Sequence, residues 1–540
     1  MKYLLIYVVF LFSDVIFCQQ EYAWVYFKDK KNVEYLINNP SLILSEHSIF
    51  KKQAKGITID YDDVPVNQDY LETIKGIENI SILAKSKWLN CIYVEADLEL
   101  LNDLFDLSFV DNVVFANKSL NPNKNLNSRN KDDYLLFEKT IDYGSTTNQI
   151  EMLSLDFLHD SQYTGNGVNM AVIDAGFVNV NSMSSFSRLR DSGKILYTYD
   201  FVLNTENIYQ YQGNSHGTKV LSTIAGFVQD EYVGTAPDAS FYLFRTEDVS
   251  SETPVEECYW VEAVEVADSL GVDIINTSLG YKGYDNSNYS HNQLDMNGYT
   301  TFITRGANIA SKKGILLVNS AGNSSINGII APADSQGVLS IGAVDSEGVY
   351  ASFSSQGSDI QPTIKPDVVA QGYQSKVINI YDQIVSNSGT SFSSPIMAGA
   401  IACLMQAYPR LSANELMNII RESSSQFNNP DYQLGYGIPN LHTAYEFASN
   451  LALDNFIVYP NPVINYLNII SQWNISNYHI DIFDINGKLT YSKYFNNPRS
   501  IINTNMFPKG VYLIKISYTI DGEDKSCLLY TSPSPRDKRQ

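Results

Sequence analysis

From residue 143 to 450 the chain alternates short, continuous apolar runs with stretches of helical spacing, and this alternation constrains its fold more than any other feature. Val168–Ile173 runs into Asp174-Ala175-Gly176; Asp273–Gly280, ending in Ser278-Leu279-Gly280, and Ile315–Asn323, ending in Ser320-Ala321-Gly322-Asn323, read as further strands. Runs that are apolar on both faces belong to strands covered on both sides. Helices are expected between them, at His216–Ala225 and Val255–Leu270. The pattern predicts an α/β domain, a mostly parallel sheet with helices on both faces. In such sheets, sites gather at the carboxyl ends of the strands. Asp174, Ser278 and Asn323 all fall there.

A second stretch, Gly389-Thr390-Ser391-Phe392-Ser393-Ser394-Pro395, precedes Ile396–Met405, which is apolar on nearly every face and reads as a buried helix. Pro395 is tolerated in a first helical turn, which puts Ser391 at or just before the helix N-terminus. The unpaired N–H groups and partial positive charge there favour the negative charge that develops beside an acyl-transfer nucleophile. Taken singly, each residue has an ordinary reading. The serine loop is a helix cap, Asp174 and Asn323 are turn residues, and His216 is a surface or capping histidine. Between Asp174 and Ser391 the only other histidine is His291, which follows the polar loop Asp285–Ser290 and is expected to lack an apolar scaffold. Asp174, His216 and Ser391 stand in one of the three known chain orders of a Ser-His-Asp triad.

With these motifs in order, residues 143–450 resemble the subtilisin-like (subtilase) serine peptidases. The resemblance rests on Asp174-Ala175-Gly176, His216-Gly217-Thr218 and Gly389–Pro395. Ser320-Ala321-Gly322-Asn323 is similar to the family's oxyanion-hole segment, and Ser278-Leu279-Gly280 to its substrate-binding strand. It implies a secreted endopeptidase acting on proteins or peptides. Ser391 is then the nucleophile, His216 the general base and Asp174 its orienting partner. Asn323 and the Ser391 amide would bind the oxyanion. Ser278, Leu279 and Gly280 would pair with substrate backbone, and Ser320, Ala321 and Gly322 would border the side-chain pocket. The family needs no cofactor for the chemistry, and structural calcium is frequent in it; the acidic loop Gln229-Asp230-Glu231 is one place where calcium could bind. Ala175 departs from the family, which usually carries Ser or Thr there. The alternative from another class is an inactive subtilase-like surface binding or adhesion protein. Tyr281–Ala310, polar and aromatic, reads either as a rim loop near the cleft or as a surface insertion.

The flanks are distinct. Residues 1–18, with Lys2 and the apolar run Tyr3–Phe12, read as a signal peptide cleaved before Gln19; bulky Phe17 before Cys18 argues against a lipid anchor. Residues 19–116 read as a split βαβ, ferredoxin-like unit, with strands at Tyr22–Phe27, Ser86–Val94 and Phe109–Phe115 and helices at Asp69–Lys75 and Leu98–Phe105. Its place after the signal resembles a subtilase propeptide, which implies an intramolecular inhibitor; a generic interaction domain is the alternative. Residues 117–142 are polar and read as an exposed processing linker. Residues 451–529 carry short alternating strands and the turn Ile485-Asn486-Gly487, a small β-sandwich pattern. Tyr459-Pro460-Asn461-Pro462, Asp484-Ile485-Asn486-Gly487 and Gly510-Val511-Tyr512 resemble the C-terminal sorting domains of the type IX secretion pathway of Bacteroidetes, which implies the secretion machinery as a partner. A carbohydrate- or surface-binding module is the alternative. The tail, 530–540, reads as foreign to this pattern and is assigned no function. A net charge of −22 argues against a nucleic-acid partner. Five cysteines without close pairing or metal-ligand spacing indicate neither a disulfide framework nor a zinc site.

Overall fold

The computed structural model describes residues 20–121, 142–451 and, with short gaps, 456–530. The expected signal peptide, most of the expected linker and residues 531–540 lie outside the described residues. The chain divides into two compact units, Met1–Gln406 with Ser412–His442, and Ala407–Leu411 with Thr443–Gln540.

The first unit begins with a four-stranded antiparallel sheet of β1 (Gln20–Phe27), β2 (Ser81–Ser86), β3 (Cys91–Asp97) and β4 (Val110–Phe115), in the order β2-β3-β1-β4. Helices α1 (Gln68–Lys75) and α2 (Leu98–Asp103) start where Asn67 and Asp97 side chains accept from Asp69 N and Leu100 N. Leu71, Ile74 and Leu101 pack with Val25, Ile92 and Val94 on one face of the sheet. This is the split βαβ arrangement expected. One strand assignment is corrected: Ser86–Val94 is not continuous, because Lys87–Asn90 turns and Asn90 adopts φ 48. The donors of this turn are used elsewhere. The Ser86 hydroxyl, Lys87 N and Trp88 N all donate to Glu265.

Seven parallel strands then form the main sheet. They are β5 (Asn169–Asp174), β6 (Ile195–Asp200), β7 (Ser240–Arg245), β8 (Ile274–Thr277), β9 (Leu316–Ser320), β10 (Val338–Val344) and β11 (Val368–Gln371), in the order β11-β10-β9-β8-β5-β7-β6. Helices α3 (His216–Ala225), α4 (Val255–Leu270), α5 (Phe302–Lys312) and α6 (Thr390–Ala407) flank it. The α/β class read from the alternation is the observed one. Two strands stop earlier than their apolar runs suggest. Ser278–Gly280 lies just past β8, and Ala321–Asn323 just past β9. Pro395 is also relocated: α6 begins at Thr390, so the proline sits inside the helix rather than in its first turn.

The segment expected as a rim loop or a surface insertion is largely interior, with Leu294 and Tyr299 exposed. Tyr281, Tyr284, Tyr289 and Phe302 are buried. Phe302 stacks on Trp24, and Tyr289 meets Tyr22 edge-on and donates to Glu21. The segment and helix α4 are thus the seat of the N-terminal sheet. His291, expected to lack a scaffold, is buried between Glu257 and Lys118 beside the Tyr284 ring.

The second unit holds two antiparallel sheets, one of three strands (Phe456–Tyr459, Tyr466–Ser471, Arg499–Asn503) and one of four (Tyr478–Asp484, Leu489–Phe495, Tyr512–Ile520, Glu523–Tyr530). Phe456, Leu467, Ile480, Ile502 and Ile516 form its core. Gly487, at φ 77, turns the predicted hairpin, with Asp484 accepting from Asn486 N and Lys488 N.

Candidate active site

Asp174 is the last residue of β5 and fully buried; His216 is the first residue of α3. His216 Nδ1 lies 2.7 Å from Asp174 Oδ1, which also accepts from Ala175 N at 2.7 Å. Asp174 Oδ2 has no hydrogen-bond partner among the described residues. The adjacent Ala175 brings no hydroxyl to it. The close approach of α3 to β5 depends on Gly217, where a Cβ would fall 2.9 Å from Asp174 Cβ and 2.7 Å from Gly176 O. Burial alone would lower the imidazole pKa of His216, but the Asp174 charge and its hydrogen bond outweigh burial and raise it.

Ser391 is the second residue of α6. It therefore occupies the helix N-terminus that the sequence predicts. In an uninterrupted helix its carbonyl would accept from the amide of residue 395. Proline has no such amide. The Ser278 hydroxyl supplies the bond instead, at 2.9 Å. Ser278 is held by Asn276 Nδ2 at 3.2 Å, and Asn276 Oδ1 accepts from the Ser394 hydroxyl at 2.9 Å. In return the Ser391 hydroxyl donates to Ser278 O at 3.3 Å. Among the described residues no hydrogen bond joins Ser391 to His216; the imidazole lies 6.0 Å, centroid to centroid, from the ring of neighbouring Phe392.

Asn323 follows β9, and its Oδ1 accepts from both Thr390 N (2.9 Å) and Thr390 Oγ1 (3.0 Å). These two donors fix the amide so that Nδ2 faces outward. A Cβ built on Gly389 would lie 3.6 Å from Asn323 Nδ2 and 3.7 Å from Ser391 N. Two N–H donors thus border one point beside the serine, and the absence of a side chain at 389 keeps that point open. Gly322 N donates to Thr390 Oγ1, and Ala321 N to Ile341 O, which anchor the Ser320–Asn323 segment. Leu279 O accepts from Asn319 Nδ2 at 3.1 Å, and Gly280 lies against Ile330, where a Cβ would come within 2.3 Å of Cδ1. All the residues singled out from the sequence therefore border the carboxyl edge of the sheet or the start of α6. Sequence reasoning missed Thr390, which orients Asn323, and Asn276, whose only signal is an amide inside an apolar strand.

The structure shows no calcium ligand set at the acidic loop 229–231. Gln229 donates to Asp230, Glu231 O accepts from Ser145, and among the described residues no three His, Cys, Asp or Glu side chains are grouped to hold a metal ion.

A family model described as the subtilase family matches residues 165–437. A second, described as the peptidase S8 propeptide domain of Bacteroidota, matches residues 22–132, and a third, a secretion system C-terminal sorting domain, matches residues 457–525. The sorting domain marks an exported protein, secreted or held at the cell surface. No helix among the described residues is long and apolar enough to cross a membrane. Subtilisin DY of Bacillus licheniformis is 30% identical over 316 residues, 57% of this chain and 99% of that protein. A thermostable alkaline protease of Halalkalibacterium halodurans is 28% identical, covering 58% of this chain and 76% of its own length. The solved structure of MycP1 with its N-terminal propeptide removed covers 54% of this chain at 22% identity and a TM-score of 0.43. With half its length matched by the subtilase model and nearly the whole of a 30%-identical subtilisin covered, the chain belongs to the subtilase family and is a serine endopeptidase, whose chemistry needs no cofactor.

Proposed function

We propose that Ser391, His216 and Asp174 are the catalytic triad of a secreted endopeptidase made as a precursor. The observation that carries this is the 2.7 Å contact between Asp174 and His216 at the sheet edge where α6 presents Ser391. The Ser391 hydroxyl rotates from Ser278 O to His216 Nε2. Its oxygen attacks the scissile carbonyl while its proton passes to the imidazole. Asp174 holds Nδ1–H and stabilises the imidazolium. The tetrahedral oxyanion sits between Asn323 Nδ2 and Ser391 N. The imidazolium then protonates the leaving amine as the C–N bond breaks, and water hydrolyses the acyl-enzyme by the same route. Ser278-Leu279-Gly280 pair with the extended substrate, and Ser320-Ala321-Gly322 border the pocket of the residue that is cut.

The domain roles complete the reading. Residues 1–18 direct export, 19–116 inhibit the peptidase of 143–450 until the linker 117–142 is cut, and 451–529 engage the secretion machinery. Substrates are proteins or peptides. Labelling with a fluorophosphonate serine-hydrolase probe tests the site. Labelling of Ser391 in the wild-type protein, absent in His216→Ala, is the expected result; a processed wild-type protein that takes no label overturns the triad.

A further inference from the structure

Beyond the triad, the carboxyl edge of the sheet carries a second cluster. Strand β7 lies beside β5 with Arg245 opposite Asp174. Glu247 is two residues beyond, and its charge acts on His216. It is 9% exposed and accepts from the hydroxyl of Tyr281, the residue that follows Ser278-Leu279-Gly280. Glu247 therefore stands between the general base and the segment that pairs with substrate. Behind it, Glu256 is 1% exposed; its Oε1 accepts from Asp248 N, and its Oε2 has no hydrogen-bond partner among the described residues. Glu252, whose charge acts on both, is exposed.

Burial, and after it the neighbouring carboxylates, push the carboxyls of both Glu247 and Glu256 upward. Buried carboxylates normally have a cationic or hydrogen-bonding partner; Glu247 has the Tyr281 and Thr246 hydroxyls, whereas Glu256 Oε2 has none among the described residues. Carboxyls gathered in this way beside the general base, with one oxygen of Glu256 unpaired among the described residues, are complementary to a cation brought by a ligand.

An extended peptide turns successive side chains to opposite sides. With the side chain at the cut facing Ser320–Gly322, the preceding one faces His216 and Glu247. Resting on the peptidase reading above, we propose that Glu247, backed by Glu256 and Glu252, forms a subsite for a lysine or arginine at the second residue before the cut.

The test uses fluorogenic tetrapeptides that differ only at that residue: arginine, lysine, leucine or citrulline, the last being an uncharged analogue of arginine. The expected kcat/KM is about tenfold higher for the two cations than for leucine or citrulline. Glu247→Gln should bring that ratio close to one. Glu252→Gln, an exposed change that leaves the core untouched, should lower it about twofold and guards against a Glu247 variant that does not fold. Equal rates across the series, or a preference that both variants leave unmoved, overturn the proposal while the peptidase reading stands. If no peptide is cut and the fluorophosphonate probe leaves Ser391 unlabelled, the triad reading falls. Titration calorimetry with the same peptides then reads the subsite alone: tighter arginine binding lost in Glu247→Gln supports it, and equal affinities overturn it.

Discussion

The Ser278 hydroxyl donates to the carbonyl oxygen of Ser391 at 2.9 Å, in the place of the backbone amide that Pro395 lacks. Proline inside a helix leaves one carbonyl without its donor. Here that carbonyl belongs to the proposed nucleophile, and the side chain that satisfies it comes from the segment proposed to bind substrate. The position of Ser391 and the end of β8 are thereby set together.

Ser278→Ala should leave the Ser391 carbonyl buried and unpaired. The expected cost is about 1–3 kcal/mol of unfolding free energy, with a lower kcat. Adding Pro395→Ala returns an amide to the helix and should recover part of both losses. Denaturant titrations and steady-state kinetics of the single and double variants measure this; equal stability of Ser278→Ala and the wild type would contradict it.

The pH profile follows from His216. A general base must be neutral to accept a proton. The Asp174 charge overcomes burial and raises the imidazole pKa, so kcat/KM should rise with pH through a midpoint above 6.5. Asp174→Asn removes that charge and leaves burial dominant. The midpoint should move down and kcat should fall roughly 10⁴-fold. Profiles of the two proteins decide it, and a midpoint that stays in place would rule out the pairing as the cause.

Gly389→Ala is expected to place a methyl group beside Asn323 Nδ2 and Ser391 N, at a backbone φ of 151 that disfavours a side chain. Turnover should drop about 10²–10³-fold, as for loss of an oxyanion donor. Circular dichroism should show the fold intact. Turnover within a few-fold of wild type would mean that the oxyanion lies elsewhere.

Glu265 links the N-terminal unit to pH. Burial under that unit is the larger effect and pushes its carboxyl from 4.5 up to about 7, against the Ser86, Lys87 and Trp88 donors. A carboxyl with a higher pKa in the complex than when exposed binds protons more readily in the complex. Its contribution to holding the unit is full below 4.5 and lost as pH rises through about 7. Retention of the cleaved unit by the enzyme should weaken over that window. Size-exclusion chromatography across it should show this trend reduced in Glu265→Gln, and an unchanged trend would remove Glu265 as its source.

Most of the sheet was legible because its strands are continuous apolar runs that end on polar residues. Asp174 and Asn323 could be placed at strand ends for that reason, and His216–Ala225 and Val255–Leu270 match the observed helices. What was not legible depends on partners distant in sequence. Ser86–Val94 has strand composition, yet its turn is fixed by Glu265, 177 residues beyond Trp88. His291 follows polar residues, and its setting is built by Glu257 and Lys118. The start of α6 was misplaced because a proline after several small polar residues looks like a first turn. The Ser278 hydroxyl, which takes the place of the missing amide, lies 113 residues away in sequence.

Trp24, Cys91 and Tyr93 of the N-terminal sheet share one core with Cys258, Trp260 and Phe302 of the peptidase, and Trp24 Nε1 donates to Cys258 Sγ. Release of the N-terminal unit, as proposed above, would therefore not be the parting of two finished surfaces. It would split an interior in two and wet both halves. A peptidase freed in this way would carry, around Cys258, Trp260 and Phe302, a face shaped by a neighbour it no longer has.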